Sequence, residues 1–88
     1  MTSATLNEVA NKIRNVLRDH GRLSTGVEQL TDDTDLYQAG MTSHASVNVM
    51  LGLEGAFEIE FPDAMLRRSV FGSIGAIRAA VEQLTNVR

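Results

Sequence analysis

The sequence predicts an all-α fold, a bundle of four helices, three long and one short, with one long loop between the first and the second. Three observations carry this. Apolar residues recur at helical spacing in three separate stretches, the mark of amphipathic helices that share a core. Residues that cap or break helices stand between those stretches, among them Gly21, Ser69 and the lone proline, Pro62. No internal repeat or low-complexity segment interrupts the pattern.

The first helix is read from Leu6, Val9, Ala10, Ile13, Val16 and Leu17, which fall on one face. Thr5-x-x-Glu8 suits a capping box at its start, and Gly21 ends it. Lys12, Arg14, Arg18 and Arg22 make it the basic part of the chain, expected as a solvated face. A loop then runs from Gly21 to Thr42. Loops that long are functional or locally structured, and Leu23, Val27, Leu30, Leu36 and Tyr37 are placed to pin it across the bundle. Within it, Thr31-Asp32-Asp33-Thr34-Asp35 is a turn-forming cluster whose side chains bond local backbone. No Gly or bidentate Glu sits there at EF-hand spacing, so no cation site is expected.

The second helix is expected from Ser43 to Phe57. Val47, Met50, Leu51 and Phe57 mark one apolar stripe, and Val49, Leu53 and Ala56 a second beside it. An apolar arc that wide is buried on more than one side or offers a face to a partner. Gly52 and Gly55 each cost about 1 kcal/mol against Ala in a helix interior, which suggests close approach by another helix or by a docking protein. Pro62 pushes Phe61 out of helical geometry, so the helix ends before it. Asp63 is a suitable cap for a short third helix through Ala64, Met65 and Leu66. Ser69 is placed to cap the last helix, whose core stripe is Val70, Ile74, Ile77, Val81 and Leu84, with Arg78 and Glu82 outside.

At 88 residues one domain is expected over 1–88, with enough chain for a modest core. With no Cys, disulfides and Cys-built metal sites are excluded, and two histidines, His20 and His44, are too few for a His-built one. A net charge of −3 without a basic block does not suit nucleic acid. No apolar run is long enough to span a membrane. The opening Met-Thr-Ser-Ala-Thr-Leu-Asn-Glu lacks the basic and apolar regions of a secretory signal, so a cytoplasmic location is expected.

The most informative stretch is Gly40-Met41-Thr42-Ser43-His44-Ala45-Ser46-Val47. It puts Ser43 at the exposed start of a helix, just past a turn. Unpaired N–H groups and the helix dipole favour phosphate at such a place. Serine is also a common N-cap; Thr42 competes for that role, and spacing alone does not choose between them. A hydrolytic Ser–His pairing does not fit. His44 is adjacent to Ser43, and neighbours in a helix do not face each other. His20 lies across the long loop, and no Gly-x-Ser-x-Gly elbow is present.

Gly40-x-x-Ser43-x-x-Ser46-Val47, followed by Met50-Leu51, Leu53-Glu54, Phe57, Ile59 and Phe61-Pro62-Asp63, resembles the acyl carrier and peptidyl carrier proteins. The likeness runs from about Asp32 to Leu84, and weakly back to Leu6. It implies a carrier-protein bundle, 4′-phosphopantetheine attached to Ser43 by a phosphopantetheinyl transferase, cargo held as a thioester, and no catalysis by the carrier itself. It also implies a monomer with transient partners, and reads Asp32 to Leu36 as a structural anchor. Two departures stand out. The family usually has Asp before the serine and Leu or Ile after it; this chain has Thr42 and His44. Asn48 also takes a position that is often Glu, which leaves Glu54 the only acid between Ser43 and Phe57. Partners that steer onto a strongly negative helix would be less attracted.

With Phe-Pro-Asp-Ala-Met-Leu-Arg-Arg-Ser-Val-Phe downstream, the pattern is most similar to stand-alone aminoacyl carrier proteins served by ligases resembling seryl-tRNA synthetase. That likeness implies a small amino acid, loaded on the arm with ATP and passed to a downstream acceptor enzyme. The other readings are a carrier for fatty-acid, polyketide or nonribosomal-peptide work, and an unmodified helical interaction module. The docking surface is expected to combine Met41, Thr42, His44, Val47, Phe61, Met65, Arg67 and Arg68, with Met41 alternatively a buried plug under the loop.

Overall fold

The structure, a computed structural model, describes residues 3–24 and 26–85, with side chains from residue 8 onward. Among these residues three α-helices and no strand are found: α1 (Ser3–His20), α2 (Ser43–Phe57) and α3 (Ile74–Thr85). The all-α fold is as the sequence predicts. α1 packs against both α2 and α3. Ile13 and Leu17 of α1, Val49 and Leu53 of α2, and Ile74, Ile77 and Val81 of α3 are fully buried. These are the positions that helical periodicity assigns to a shared interior. α1 begins two residues before Thr5, so Thr5 stands within its first turn and not at the cap. The side chain of Thr5, like that of Leu6, lies outside the described residues. At the far end of α1 the left-handed residue is Arg22, with φ 53°.

The long loop is locally structured. Val27–Gln29 form one 3-10 turn, and Val27, Leu30 and Leu36 are buried beneath the helices. The Thr31–Asp35 cluster bonds as expected of short polar side chains. Thr34 Oγ1 accepts from the Thr31 amide at 2.9 Å, and Asp35 Oδ1 accepts from the amides of Tyr37 and Gln38 at 2.9 and 3.3 Å. Asp32 to Leu36 is tied to the C-terminal part of the chain. The Gly75 amide donates to the Asp32 carbonyl at 2.9 Å, the Leu36 amide donates to the Gly72 carbonyl at 2.8 Å, and Arg78 pairs with the Asp32 carboxylate at 2.9 Å. Arg14 departs from the expected solvated face. It is half-buried, and its guanidinium donates to the Val27 carbonyl at 2.6 Å, fastening the loop to α1.

Two expectations about the C-terminal half are corrected. The short third helix is not an α-helix. It is a 3-10 turn, Asp63–Met65, followed by a second one, Arg68–Phe71. The Met65 and Leu66 amides donate to the carbonyls of Pro62 and Asp63, three residues back, the bonding of the tighter helix. Pro62 and Arg67 are extended on either side, so there is no length over which an α-helix could propagate past its costly first turn. Asp63 is therefore inside the turn and Pro62 holds the cap position, with no side-chain cap. Likewise Ser69 does not cap α3. Ser73 does, its Oγ accepting from the Ala76 amide at 3.1 Å. Val70 consequently belongs to the second 3-10 turn and not to the α3 stripe.

Candidate functional site

Ser43 is the first residue of α2. What precedes it fixes where its hydroxyl stands. The Gly40 amide donates to the Tyr37 carbonyl, closing a turn in which Gly40 takes φ 119°, a value that glycine adopts without strain. Met41 then drops inward. It is buried, and its amide donates to the Leu36 carbonyl at 3.0 Å. Thr42 is extended, and its Oγ1 accepts from the Ala45 amide at 3.0 Å. Thr42 is thus the N-cap, which answers the question that spacing left open. Ser43 is exposed, and no described residue forms a hydrogen bond with its hydroxyl. Ser46 is committed elsewhere, its Oγ donating to the Ser43 carbonyl at 2.7 Å.

A groove of about 460 Å³ opens beside Ser43. One wall is α2, through Ser43, Val47 and Met50; the other is the segment of 3-10 turns, through Leu66, Arg67 and Arg68. Phe71 is part of the lining, held edge-on to the buried Phe61 with ring centroids 5.2 Å apart. Tyr37 lines it too. The Arg68 guanidinium lies 3.7 Å from the centre of the Tyr37 ring, and Tyr37 Oη donates to the Arg68 carbonyl at 3.3 Å. Val47 and Leu51 stand one turn apart on the outer face of α2, 52 % and 54 % exposed, and Leu66 is 47 % exposed.

The residues expected on a docking surface divide accordingly. Thr42, His44, Val47, Arg67 and Arg68 are exposed and Met65 is half-buried. Met41 and Phe61 are only 2 % and 6 % exposed and do not belong to any such surface. Met41 is the plug under the loop, and Phe61 anchors the turn after α2. Its amide is held at 2.9 Å by the Glu54 carboxylate, so the one acid of α2 is also occupied within the chain. His20 packs over Gly52, more than two turns along α2 from Ser43, so no Ser–His pair forms. Among the described residues no three acidic, histidine or cysteine side chains come together to hold a metal. None of the described helices is long and apolar enough to cross a membrane.

Tyr37 and Leu66 were not legible as site residues. Tyr37 meets Arg68 across 31 positions of sequence, and no local pattern encodes that pairing. Leu66 looks like one more core residue until the 3-10 geometry turns it outward.

The residues present suit a phosphopantetheine group. The hydroxyl at Ser43 is accessible and uncommitted, the helix N-terminus beside it favours a phosphate, and an open groove adjoins it. Comparison with known proteins points the same way. The family model described as a phosphopantetheine attachment site matches residues 11–81. An aminoacyl carrier protein of Agrobacterium fabrum is 51% identical over 70 residues, 80% of this chain and 84% of its own length. Among solved structures, the chain is similar to the Agrobacterium tumefaciens carrier protein crystallised with an engineered Bradyrhizobium japonicum glycine:[carrier protein] ligase and ATP. The TM-score is 0.84 at 47% identity, covering 86% of this chain and 99% of that one. A solution structure of an Agrobacterium tumefaciens protein gives a TM-score of 0.68 at 49% identity, covering 84% and 89%.

Proposed function

The chain belongs to the phosphopantetheine-attachment family of carrier domains, and from that premise we propose that it holds a small amino acid as a thioester on an arm attached to Ser43. The observation that carries this reading is the division of labour at the start of α2. Thr42 takes the capping bond, so the Ser43 hydroxyl is left free on a rigid element. When bound, phosphopantetheine supplies a terminal thiol on a long, flexible tether. The chain's own part is to present the hydroxyl, to hold the backbone around it still, and to offer partners a surface; it performs no catalysis.

An amino acid is the preferred cargo for two reasons. Two of the chain's relatives, each about half identical over the matched residues, are an aminoacyl carrier protein and a carrier protein bound to a glycine:[carrier protein] ligase. The α2 surface also lacks the acidic character that fatty-acid partners seek, its only acid being bonded to Phe61. An ATP-dependent amino acid:carrier protein ligase is therefore the proposed loading partner, with a phosphopantetheinyl transferase before it and an acceptor enzyme after it. Thr42, His44, Val47, Met65, Arg67 and Arg68 are the proposed docking residues. Residues 1–88 are read as one domain that works in the cytoplasm as a monomer.

The test has two steps. Incubation with coenzyme A and a broad-range transferase should add one prosthetic group by mass, and Ser43→Ala should abolish the addition. The holo-protein should then accept an amino acid from a purified ligase and ATP, glycine being the first to try. Failure of every transferase to modify Ser43 would leave an unmodified interaction module. Modification without loading by any amino acid would return the chain to acyl, polyketide or peptide carriage.

A further inference from the structure

We propose that the ligase that loads this carrier meets it with an acidic face, and that Arg68, held in place by Tyr37, is the main point of charge contact. The inference rests on the ligase reading proposed above and adds the chemistry of the surface that the ligase must present. Its starting point is a pair of neighbouring cations. Arg67 and Arg68 are both exposed, in the wall of the groove that Ser43 also lines. Among the described residues the only ion pair joins Arg78 to Asp32, so no carboxylate among them neutralises either arginine. Asp63, the acid nearest to them in sequence, pairs with neither and does not line the groove.

Arg68 is the better prepared of the two. An exposed arginine ordinarily loses much rotamer freedom when it pairs with an anion. Here that freedom is already restricted. The guanidinium lies 3.7 Å from the centre of the Tyr37 ring, and Tyr37 Oη donates to the carbonyl of the same arginine at 3.3 Å. Tyr37 is fixed in turn by Asp35, whose Oδ1 accepts from its amide at 2.9 Å. Contact with the ring covers a face of the guanidinium and leaves its N–H edge, the edge that pairs with both oxygens of a carboxylate. Tyr37 acts through Arg68 and is a positioning residue.

The chemistry of the partner follows from sign and setting. A chain of net charge −3 carries, beside its attachment serine, two cations and no acid. The other wall, α2, adds no available negative charge, because its only acid, Glu54, is bonded to the Phe61 amide. A partner with a basic face would be repelled at Arg67 and Arg68 and would find nothing on α2 to attract it. Val47, Leu51 and Leu66 are about half exposed, and covering them removes apolar surface from water. The complementary surface is therefore apolar, with carboxylates where it faces the arginines. Of the proposed partners the ligase is the one that returns with every cycle of loading to an arm rooted at Ser43. It gains most from steering by charge, which raises the rate of encounter.

The experiment uses the full chain in its holo-form, checked by mass, with a purified amino acid:carrier protein ligase, ATP and an amino acid. Loading of the wild-type holo-protein is measured first, against carrier concentration. Arg68→Glu should then lower kcat/KM by about tenfold or more at 0.1 M salt, the low end of the span that association rates show among mutants of one interface. The loss should lie in KM, with kcat and helix content unchanged. At 1 M salt the gap should narrow, because the screening length falls from about 10 Å to about 3 Å. Arg18→Glu, the same change of charge at an exposed position of α1 outside the groove, should leave KM nearly unchanged. Tyr37→Leu should raise KM severalfold, and Tyr37→Phe, which keeps the ring, should not. Arg68→Lys treated with a zero-length carbodiimide should couple residue 68 to an Asp or Glu of the ligase. The chain's one lysine of its own is Lys12, so the coupled peptide is unambiguous. A wild-type holo-protein that no ligase loads with any amino acid would overturn the ligase reading, and this inference with it. Loading that is equal in wild type and Arg68→Glu, or that Arg18→Glu weakens equally, would overturn the contact at Arg68 while leaving the ligase reading standing. Loading of Arg68→Lys without the coupled peptide would overturn the acidic face, and equal effects of Tyr37→Leu and Tyr37→Phe would overturn the role of the ring. Binding to phosphatidylglycerol vesicles that Arg68→Glu abolishes, with loading unaffected, would assign the cations to a lipid surface and overturn the proposal.

Discussion

Gly52 and Gly55 lie three residues apart in α2, and the same substitution should move stability in opposite directions at the two. A Cβ built on Gly55 meets nothing within 4 Å. Gly55→Ala should therefore express only the conformational gain of alanine over glycine in a helix, about 0.5–1 kcal/mol. Gly55 is in the last turn of α2, where fraying weakens the effect, so about 0.5 kcal/mol is the working figure. In a domain of this size that raises the melting temperature by about 2–4 °C. A Cβ on Gly52 would stand 2.9 Å from Val16 Cγ1 and 2.9 Å from His20 Cδ2. His20 is exposed and can swing away, but Val16 is buried and branched and has no such freedom. Making room there is overpacking, at about 1–3 kcal/mol, set against about 1 kcal/mol of helix propensity. Gly52→Ala should thus be destabilising by up to about 2 kcal/mol. Thermal and urea unfolding followed by far-ultraviolet circular dichroism would measure both. Equal stabilisation by the two alanines would refute the reasoning, because helix propensity alone would then govern and the approach of α1 to α2 at Gly52 would carry no weight. Nothing among the described residues explains a glycine at 55.

Other substitutions separate what supports the site from what forms it. Thr42→Ala removes the capping bond to Ala45 and should cost about 1 kcal/mol, read as a fall in the urea midpoint, while the mass added at Ser43 persists. Glu54→Ala releases the Phe61 amide. A bond to a charged acceptor is worth about 1.5–3 kcal/mol, and the half-exposed setting puts the loss near the lower end, measurable by the same unfolding curves. Phe71→Ala removes a buried ring that lines the groove and packs on Phe61. A loss of about 3–5 kcal/mol is expected, and a fall of less than about 1 kcal/mol would mean that the groove does not depend on this ring.

The long helices were legible because their apolar residues repeat without interruption. Ser43 to Phe57 is bounded by residues with strong local preferences, Thr42 before and Pro62 after, and α2 has the limits the sequence predicts. The segment between Phe61 and Ser73 was misread for a physical reason. Its signals, Asp63 before an apolar triplet and Ser69 before an apolar stripe, are true helix-start signals. The chain between them must cross from α2 to α3, and the Leu36–Gly72 and Asp32–Gly75 bonds fix where it arrives. Tertiary pairing thus moves the start of α3 past Ser69 to Ile74, just beyond its cap, Ser73. The position of Ser43 was legible for the converse reason, since capping is a local contest between neighbouring hydroxyls. What was not legible was which hydroxyl wins. The groove was hidden altogether, because its two walls are distant in sequence.

The departure from the family at position 42 has a physical reading that can be tested alone. The family usually has Asp before the modified serine, and Asp and Thr both cap helices by accepting from the same amides. Thr42 keeps the bond to Ala45 and omits the charge. Thr42→Asp should therefore leave the unfolding free energy unchanged or raise it by about 0.3–1 kcal/mol, since a carboxylate at a helix N-terminus is favoured by the dipole. It should also change how fast a transferase modifies Ser43. With a transferase whose contact surface is basic, the rate should rise at low salt, and the gain should fade as salt screens the added charge. A drop in stability would mean that Thr42 contributes more than its cap. A rate unaffected at every salt concentration, with the fold intact, would show that the missing acid is not what distinguishes this carrier's modifying enzyme.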